Sequence, residues 1–181
     1  MFAVMKGEFK ASSESSEMTG PSKSRPGLML AMREMNDEDL EHCDALFKNA
    51  NHFSRIHEIG DMLRLRQTAP TEYNTPFVVE CFDPSNREAS RRIVAFATGF
   101  TYYGLALGEL EEDIQFLLLR SNLIHTATPL RLFLFLELYP ELFRWCLAKG
   151  LKVVKNCSLM VKGEYQCPKS SGFCYIPSIV Y

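Results

Sequence analysis

Two runs of strand-forming residues, PFVVECF and RIVAFATGF, are separated only by the polar stretch DPSNREASR. Both runs have the composition of β-strands, and the stretch between them contains Asp, Pro, Ser and Asn, which favour turns. Two strands joined by so short a connection pair side by side in opposite directions. The sequence therefore predicts an antiparallel hairpin with a long loop, and the rest of the fold must be built around it.

The segments on either side of this hairpin alternate between strand and helix patterns. A strand is predicted over 28–35, then a helix capped by Asn36, then a second helix over about 54–68. After the hairpin come an amphipathic helix, the apolar run RLFLFLE, a short helix over 140–149 and the strands KVVKNCSLMVK and GFCYIPSIVY. The predicted fold class is α/β.

The first 27 residues differ in composition from the rest of the chain. They contain KASSESSEMTGPSKSRPG, a mixture of Ser, Lys, Glu and Pro that buries too little apolar surface to offset the entropy of ordering. We therefore expect a flexible tail over 1–27 and one folded domain over 28–181. The chain has 181 residues and 46% hydrophobic content, which suffice for one sizeable core.

Charge and cysteine content limit the expected partners and location. Twenty basic and 22 acidic residues give a formal net charge of -2, so neither nucleic acid nor a membrane surface is predicted as a partner. The six cysteines form no CxxC pair and follow no signal peptide, which favours free thiols in a reducing, cytoplasmic compartment. Cys157, Cys167 and Cys174 lack the close pairing of structural zinc ligands, so no metal site is expected.

Three stretches carry a resemblance to a known family. They are ATGF-YYG-A-GE-EED over 97–113, ELFRWCLAKGLKVVK over 141–155, and the ending SLMVKGEYQCPKSSGFCYIPSIVY. With the order of elements, they resemble the GNAT superfamily of acyl-CoA-dependent N-acetyltransferases, in particular the second GNAT-like half of bacterial tandem GNAT proteins. The resemblance covers about 28–181. It implies a GNAT-like mixed, mostly antiparallel splayed sheet with helices on both faces and an acyl-CoA in the split.

The resemblance also implies a cofactor-binding turn between the hairpin and the third helix. In the superfamily this turn has a Gln or Arg, two spacers, Gly, one spacer, and Gly or Ala, and its amides bind the cofactor's pyrophosphate at a helix N-terminus. The corresponding candidate residues for binding acetyl-CoA or another acyl-CoA are Thr101, Tyr102, Tyr103, Gly104 and Gly108. The two glycines have a different spacing here, and no Gln or Arg precedes them.

Four acidic residues crowd the start of the helix after this turn: Glu109, Glu111, Glu112 and Asp113. Carboxylates at a helix start satisfy the amides that would otherwise bind an anion, and they repel a pyrophosphate. The favoured interpretation is that the glycines permit a turn and the acids cap the helix. The alternative is a degenerate cofactor loop.

Catalytic candidates come from the fourth helix. In the superfamily a Tyr four residues before the Gly that ends this helix often reprotonates the departing CoA thiolate. Counting back from Gly150, that position is Cys146, whose thiol could supply a proton. Tyr139 is a second candidate, since its phenol could reach the split. A lone Cys on the apolar side of a helix is more commonly a packing residue.

Two hypotheses for function follow. The first is an acyl-CoA-dependent N-acyltransferase, in which a small-molecule or peptide amine attacks the thioester directly. The alternative is a non-catalytic GNAT-like interaction or ligand-sensing domain, which the departures from the superfamily's turn favour. A second copy of the chain, as a homodimer, or a partner GNAT-like domain are the candidate protein partners. No Ser-His-Asp pattern, Walker loop or zinc-protease helix supports another common enzyme class.

Overall fold

The computed structural model describes residues 2–7, 18–68, 75–100, 104–124, 130–135, 137–158 and 174–177. The strands are β1 (Phe2–Gly7), β2 (Thr19–Pro21), β3 (Met29–Glu34), β4 (Phe77–Phe82), β5 (Arg92–Ala97), β6 (Ala106–Gly108), β7 (Leu130–Phe135), β8 (Lys152–Cys157) and β9 (Cys174–Ile176). The helices are α1 (Leu40–Asn51), α2 (Ile56–Thr68), α3 (Arg87–Ser90), α4 (Glu111–Ile124) and α5 (Pro140–Ala148), with a 3-10 turn at Asp37–Asp39.

The larger sheet has six strands in the order β2-β3-β4-β5-β6-β9, and every neighbouring pair is antiparallel. The predicted hairpin forms its centre, with Phe77 of β4 opposite Ala97 of β5. All six residues of β4 are buried, as expected for a strand covered on both faces of the sheet. The hairpin prediction is confirmed, and its long loop contains the short helix α3.

Helices cover both faces of this sheet. Because neighbouring residues of a strand point to opposite faces, Glu80 and Cys81 of β4 identify the two sides. Glu80 accepts a 2.6 Å hydrogen bond from Arg33, which also binds Asp39 just before α1. Cys81 lies near Asp113 of α4. The helices α1 and α4 therefore pack on opposite faces.

Local capping signals place two of these helices. The side chain of Asn36 accepts a hydrogen bond from the amide of Glu38, and the carboxylate of Asp39 accepts one from the amide of Asn36, which makes a capping box. Helix α5 begins at Pro140 and ends just before Gly150, which has a φ of 110°. The chain becomes helical after Asn36 as predicted, but through a 3-10 turn at Asp37–Asp39 that precedes α1, and the predicted start of α5 is confirmed.

The smaller sheet has three strands in the order β7-β1-β8, again antiparallel. Its middle strand, β1, lies in the region predicted to be a flexible tail, and Ala3, Val4 and Met5 are buried in it. A second segment of that region, β2, pairs with β3 at the edge of the larger sheet. The expectation of a flexible tail does not describe these two segments. Averaging over the Ser- and Glu-rich residues concealed the short apolar run of β1.

The strands immediately before and after α4, β6 and β7, belong to different sheets, and the larger sheet ends at β9 rather than at β6. The last described strand, β9, pairs with β6 and lies next to β7. The architecture is thus α/β with antiparallel strands and packed helices, which confirms the predicted class at that level. Within the described ranges, no helix combines the length and apolar character needed to cross a membrane.

Candidate functional site

The turn that the resemblance assigns to a cofactor lies between β5 and α4. Thr101, Tyr102 and Tyr103 lie outside the described residues. Gly104 and Gly108 are both buried, and Gly108 ends the short strand β6, which the sequence did not predict. The contacts of these two glycines show whether they leave space for a ligand.

Gly104 lies directly against the backbone of Gly99. A Cβ atom at position 104 would be 2.2 Å from the carbonyl oxygen of Gly99, a separation that real Cβ atoms do not reach. Next to this contact the Thr98 amide donates to the Leu105 carbonyl at 2.9 Å, and the Leu105 amide donates to the Thr98 hydroxyl at 3.0 Å. The glycine at 104 therefore allows two backbone segments of the same chain to meet.

Gly108 packs against the first turn of α4. A Cβ atom there would be 3.1 Å from Ile114 Cγ1, 3.1 Å from the Leu110 carbonyl oxygen and 3.2 Å from Asp113 Cβ. The outer side of β6 is paired with β9, where Gly108 lies opposite Cys174. Like Gly104, Gly108 is in close contact with the chain itself.

Asp113 binds the start of α4 to a distant segment. Its carboxylate accepts a 3.0 Å hydrogen bond from the amide of Leu110, so the prediction that the helix is capped by its own acid is confirmed here. Arg25 donates to both oxygens of the same carboxylate, at 2.7 and 2.8 Å. The side chains of Asp113 and Arg25 are 0% and 12% exposed. Burial raises the pKa of Asp113, and the guanidinium of Arg25 opposes that rise.

Glu112 binds three groups of the same distant segment. The hydroxyl of Ser22 donates to its carboxylate at 3.0 Å, the amide of Ser24 donates at 2.8 Å, and the amide of Lys23 donates as well. Burial alone would raise the pKa of Glu112, but these hydrogen bonds outweigh it and hold the pKa below its ordinary value. We call these four residues, Ser22, Lys23, Ser24 and Arg25, the 22–25 segment.

The remaining two acids also have partners within the chain. Glu109 binds Arg25 at 3.0 Å and Arg92. Glu111 accepts a hydrogen bond from the amide of Leu142 in α5, and its pKa is raised by burial and by the nearby Glu141. The first turn of α4 is therefore bound by the 22–25 segment and by α5.

The role of Arg25 was not predicted from the sequence. It is 88 residues away from Asp113 along the chain and lies in the region expected to be a tail. No local pattern links an Arg in a Ser- and Pro-rich stretch to the start of a distant helix. The only relevant signal was the excess of carboxylates at 109–113, which indicated that a cation would be needed nearby.

Both catalytic candidates are buried. Cys146 is 0% exposed, and burial together with Glu111 raises its thiol pKa to about 12. An ordinary thiol has a pKa of about 8.5, so Cys146 would keep its proton rather than give it to a CoA thiolate. Tyr139, just before α5, is 2% exposed. In this arrangement, Cys146 has the properties of a packing residue.

Among the residues whose placement is described, no group of three or more His, Cys, Asp or Glu side chains is arranged to hold a metal ion. Four of the six cysteines, Cys43, Cys81, Cys146 and Cys157, are free thiols. No protein-family model, no curated protein and no solved structure matches the chain. The function must therefore be argued from the geometry of the turn.

Proposed function

We propose that this chain is a GNAT-like domain that does not transfer acyl groups and acts as an interaction or ligand-sensing module. Support for the GNAT-like fold comes from the order of elements and from the placement of β6 and β7 in different sheets. The resemblance implies a sheet that splays open in its middle. The proposed absence of acyl transfer rests on a different observation, namely the contacts made by the turn between β5 and α4.

The observation that carries the proposal is the engagement of the first turn of α4 by the chain's own side chains. A helix N-terminus attracts an anion through unpaired amides and the positive end of its dipole, a stabilisation of at most about 2 kcal/mol. Here the amide of Leu110 already binds Asp113. The attraction available to a cofactor phosphate is correspondingly small.

Local charge acts against a phosphate at the same place. The start of α4 carries four carboxylates and binds the guanidiniums of Arg25 and Arg92, which leaves an excess of two negative charges. The carboxylates are those of Glu109, Glu111, Glu112 and Asp113. Two like unit charges about 4 Å apart near a protein surface repel by about 4 kcal/mol. This repulsion exceeds the helix-terminus attraction, so a diphosphate is disfavoured.

The side of β6 away from β5 is also occupied. Residues 106–108 pair with β9 in continuous antiparallel register, from Ala106 opposite Ile176 to Gly108 opposite Cys174. The backbone groups on that side of β6 are therefore used within the fold. An acyl-CoA placed there would have to displace β9, at the cost of its pairing with β6.

Calorimetry of the full chain with acetyl-CoA and longer acyl-CoAs tests the proposal. We expect no acyl-CoA binding at the turn at ligand concentrations up to about 1 mM, and no release of CoA thiol with a panel of small amines or peptides. The variant Glu109→Gln removes one negative charge beside the turn and serves as the matched comparison. Saturable binding at the turn by the wild-type chain, with a Kd below about 1 mM, would contradict the proposal, whereas binding by the variant alone would assign the exclusion to local charge.

A further inference from the structure

Two lysines face each other across the smaller sheet. Lys6 of β1 lies directly opposite Lys152 of β8. Directly opposed residues in an antiparallel pair have Cβ atoms about 5 Å apart, and like charges in such pairs are destabilising. This arrangement is unfavourable unless an anion binds between the lysines.

A β-bulge brings a further lysine to the same face. Met5 lies opposite Val153 and Val4 lies opposite Lys155, so Val154 has no partner on β1. Because Val4 and Lys6 are two positions apart on β1, they share a face, and Lys155 shares it with them. Without the extra residue, Lys155 would lie opposite Ala3 on the other face. Bulges commonly redirect side chains next to functional sites.

These lysines differ from most arginines in the described part of the chain. In the described part of the chain, neither Lys6 nor Lys152 nor Lys155 makes an ion pair with a carboxylate. Arginines elsewhere are paired with carboxylates, namely Arg25, Arg33, Arg55, Arg64, Arg66, Arg91, Arg92 and Arg144. Since the chain has a formal net charge of -2, the excess of positive charge on this face is local.

We propose that the face of the smaller sheet carrying Lys6, Lys152 and Lys155 binds the phosphate groups of a small phosphorylated ligand. Lysine ammonium groups are common phosphate ligands, and two of them about 5 Å apart can contact oxygens of one phosphate group. Lys155 lies beyond the β-bulge on β8 and contacts a second phosphate of the same ligand. Lys152 and Lys155 are exposed, so a ligand reaches them from solvent.

The charge distribution favours a small ligand over a nucleic acid. Nucleic-acid-binding surfaces usually extend over many cations on a domain with a net positive charge, because several backbone phosphates are contacted at once. Here three lysines lie on one face of a three-stranded sheet in a chain with a net charge of -2. A compact diphosphate matches the size of this cluster.

Inorganic diphosphate is the probe for the first test, with calorimetry and thermal unfolding of the full chain in low salt. We expect saturable binding with a Kd below about 1 mM and a raised Tm. Lys152→Gln and Lys155→Gln should each weaken binding at least about fivefold, since each removes a phosphate contact. Lys149→Gln is the matched control, because Lys149 is a half-buried lysine shortly before β8 that lies outside the register pairs.

The Tm of each variant without ligand shows whether weaker diphosphate binding comes from the lost lysine contact or from a destabilised fold. Lys152→Gln removes the like-charge pair with Lys6, so its Tm without ligand should equal or exceed that of the wild type while its diphosphate response falls. Three results would overturn the proposal: equal weakening by Lys149→Gln, an equal Tm rise with sodium chloride at matched ionic strength, or tighter binding of a single-stranded oligonucleotide than of diphosphate.

This inference is independent of the proposed function, because the turn belongs to the larger sheet and the lysines to the smaller one. Acyl-CoA itself contains a diphosphate, so acetyl-CoA is also titrated into the Lys152→Gln/Lys155→Gln double variant. Heat that disappears in the double variant assigns the binding to the lysines and supports the sheet site. Heat that persists in the double variant shows that acetyl-CoA binds somewhere other than the lysines, which contradicts the proposed absence of acyl-CoA binding. The diphosphate titration then decides whether the lysines bind phosphate.

Discussion

At Gly104, the absence of one methyl group allows the backbone at 104 to lie against the carbonyl of Gly99. A Cβ atom would be 2.2 Å from that oxygen, so Gly104→Ala must displace backbone rather than a flexible side chain. We expect a loss of unfolding free energy of about 3 kcal/mol, in the range of overpacked sites. Chemical denaturation of the purified variant measures this loss.

Gly60→Ala is the control for this substitution. Gly60 lies in α2, where a Cβ atom would be 3.7 Å from Leu40 Cδ2, an ordinary contact, and Ala favours helix over Gly by up to about 1 kcal/mol. This variant should be as stable as the wild type or more stable. If Gly104→Ala instead unfolds like the wild type, the glycine does not have the structural role described for it.

Glu111 predicts a pH dependence at the same site. Burial and Glu141 raise the pKa of Glu111, so the folded state binds more protons than the unfolded state above pH 4.5. Stability therefore falls as pH rises through the window between the unfolded and folded pKa values of this carboxyl. Glu111→Gln keeps an acceptor for the Leu142 amide and removes the charge. It should raise the Tm at pH 7 and give no advantage below about pH 4. A Tm gain that is the same at both pH values would contradict this account.

At the scale of elements, the 22–25 segment is held to α4 by a buried ion pair. Breaking such a pair from one side leaves a charge poorly compensated and typically costs 3–5 kcal/mol. Asp113→Ala should therefore lower the unfolding free energy by about 3 kcal/mol. It should also raise amide hydrogen exchange at Lys23 and Ser24, because the segment loses the Arg25–Asp113 contact beside the hydrogen bonds that these two amides make with Glu112.

The matched control is Asp61→Ala. Asp61 pairs with Arg64 on the surface of α2, where both side chains are 70% exposed, and pairs of that kind contribute less than about 0.5 kcal/mol. A similar, small effect of Asp113→Ala would show that the 22–25 segment contributes little to the start of α4.

The elements that the sequence predicted well are those with local signals. Asn36 with Asp39 marks the start of α1, and Pro140 and Gly150 bracket α5. The strands β1 and β6 have no such signal: β1 is a short run attached to polar residues, and β6 is three residues ending in Gly108. Their positions depend on pairing with strands far away in sequence, which no local pattern reports.

The candidate site was predictable to the same extent. Its acids at 109–113 were expected to compete with a ligand, because helix capping is a local preference. The partners of those acids could not be derived, since Arg25 and Ser22 are 88 and 90 residues away from the carboxylates that they bind. Nor does the sequence show that Gly104 meets Gly99 rather than a cofactor.

For the whole molecule, β1 decides whether the N-terminal region is part of the fold. Met5 is fully buried between β7 and β8, so Met5→Ala should lower the unfolding free energy by about 3 kcal/mol, or the Tm by about 6–12 °C. Leu65→Ala, at a side chain 43% exposed, is the control and should change stability by less than about 0.5 kcal/mol. A Met5→Ala variant as stable as this control would return 1–27 to the status of a tail.

The 22–25 segment contacts the first turn of α4, and β9 pairs with β6 just before it, at the place where the resemblance would put a cofactor. We propose that these contacts replace acyl-CoA binding. The backbone amides at the start of α4 give the direct test, since heat or activity alone does not show where a ligand binds.

An NMR titration of the full chain with acetyl-CoA, followed at the backbone amides of Gly108, Leu110, Glu111 and Glu112, is the most direct measurement. The account predicts that these four signals stay unchanged up to about 1 mM acetyl-CoA, because Gly108 packs against the chain itself and the Leu110 amide already binds Asp113. Saturable shifts at these amides, with a Kd below about 1 mM, would contradict it.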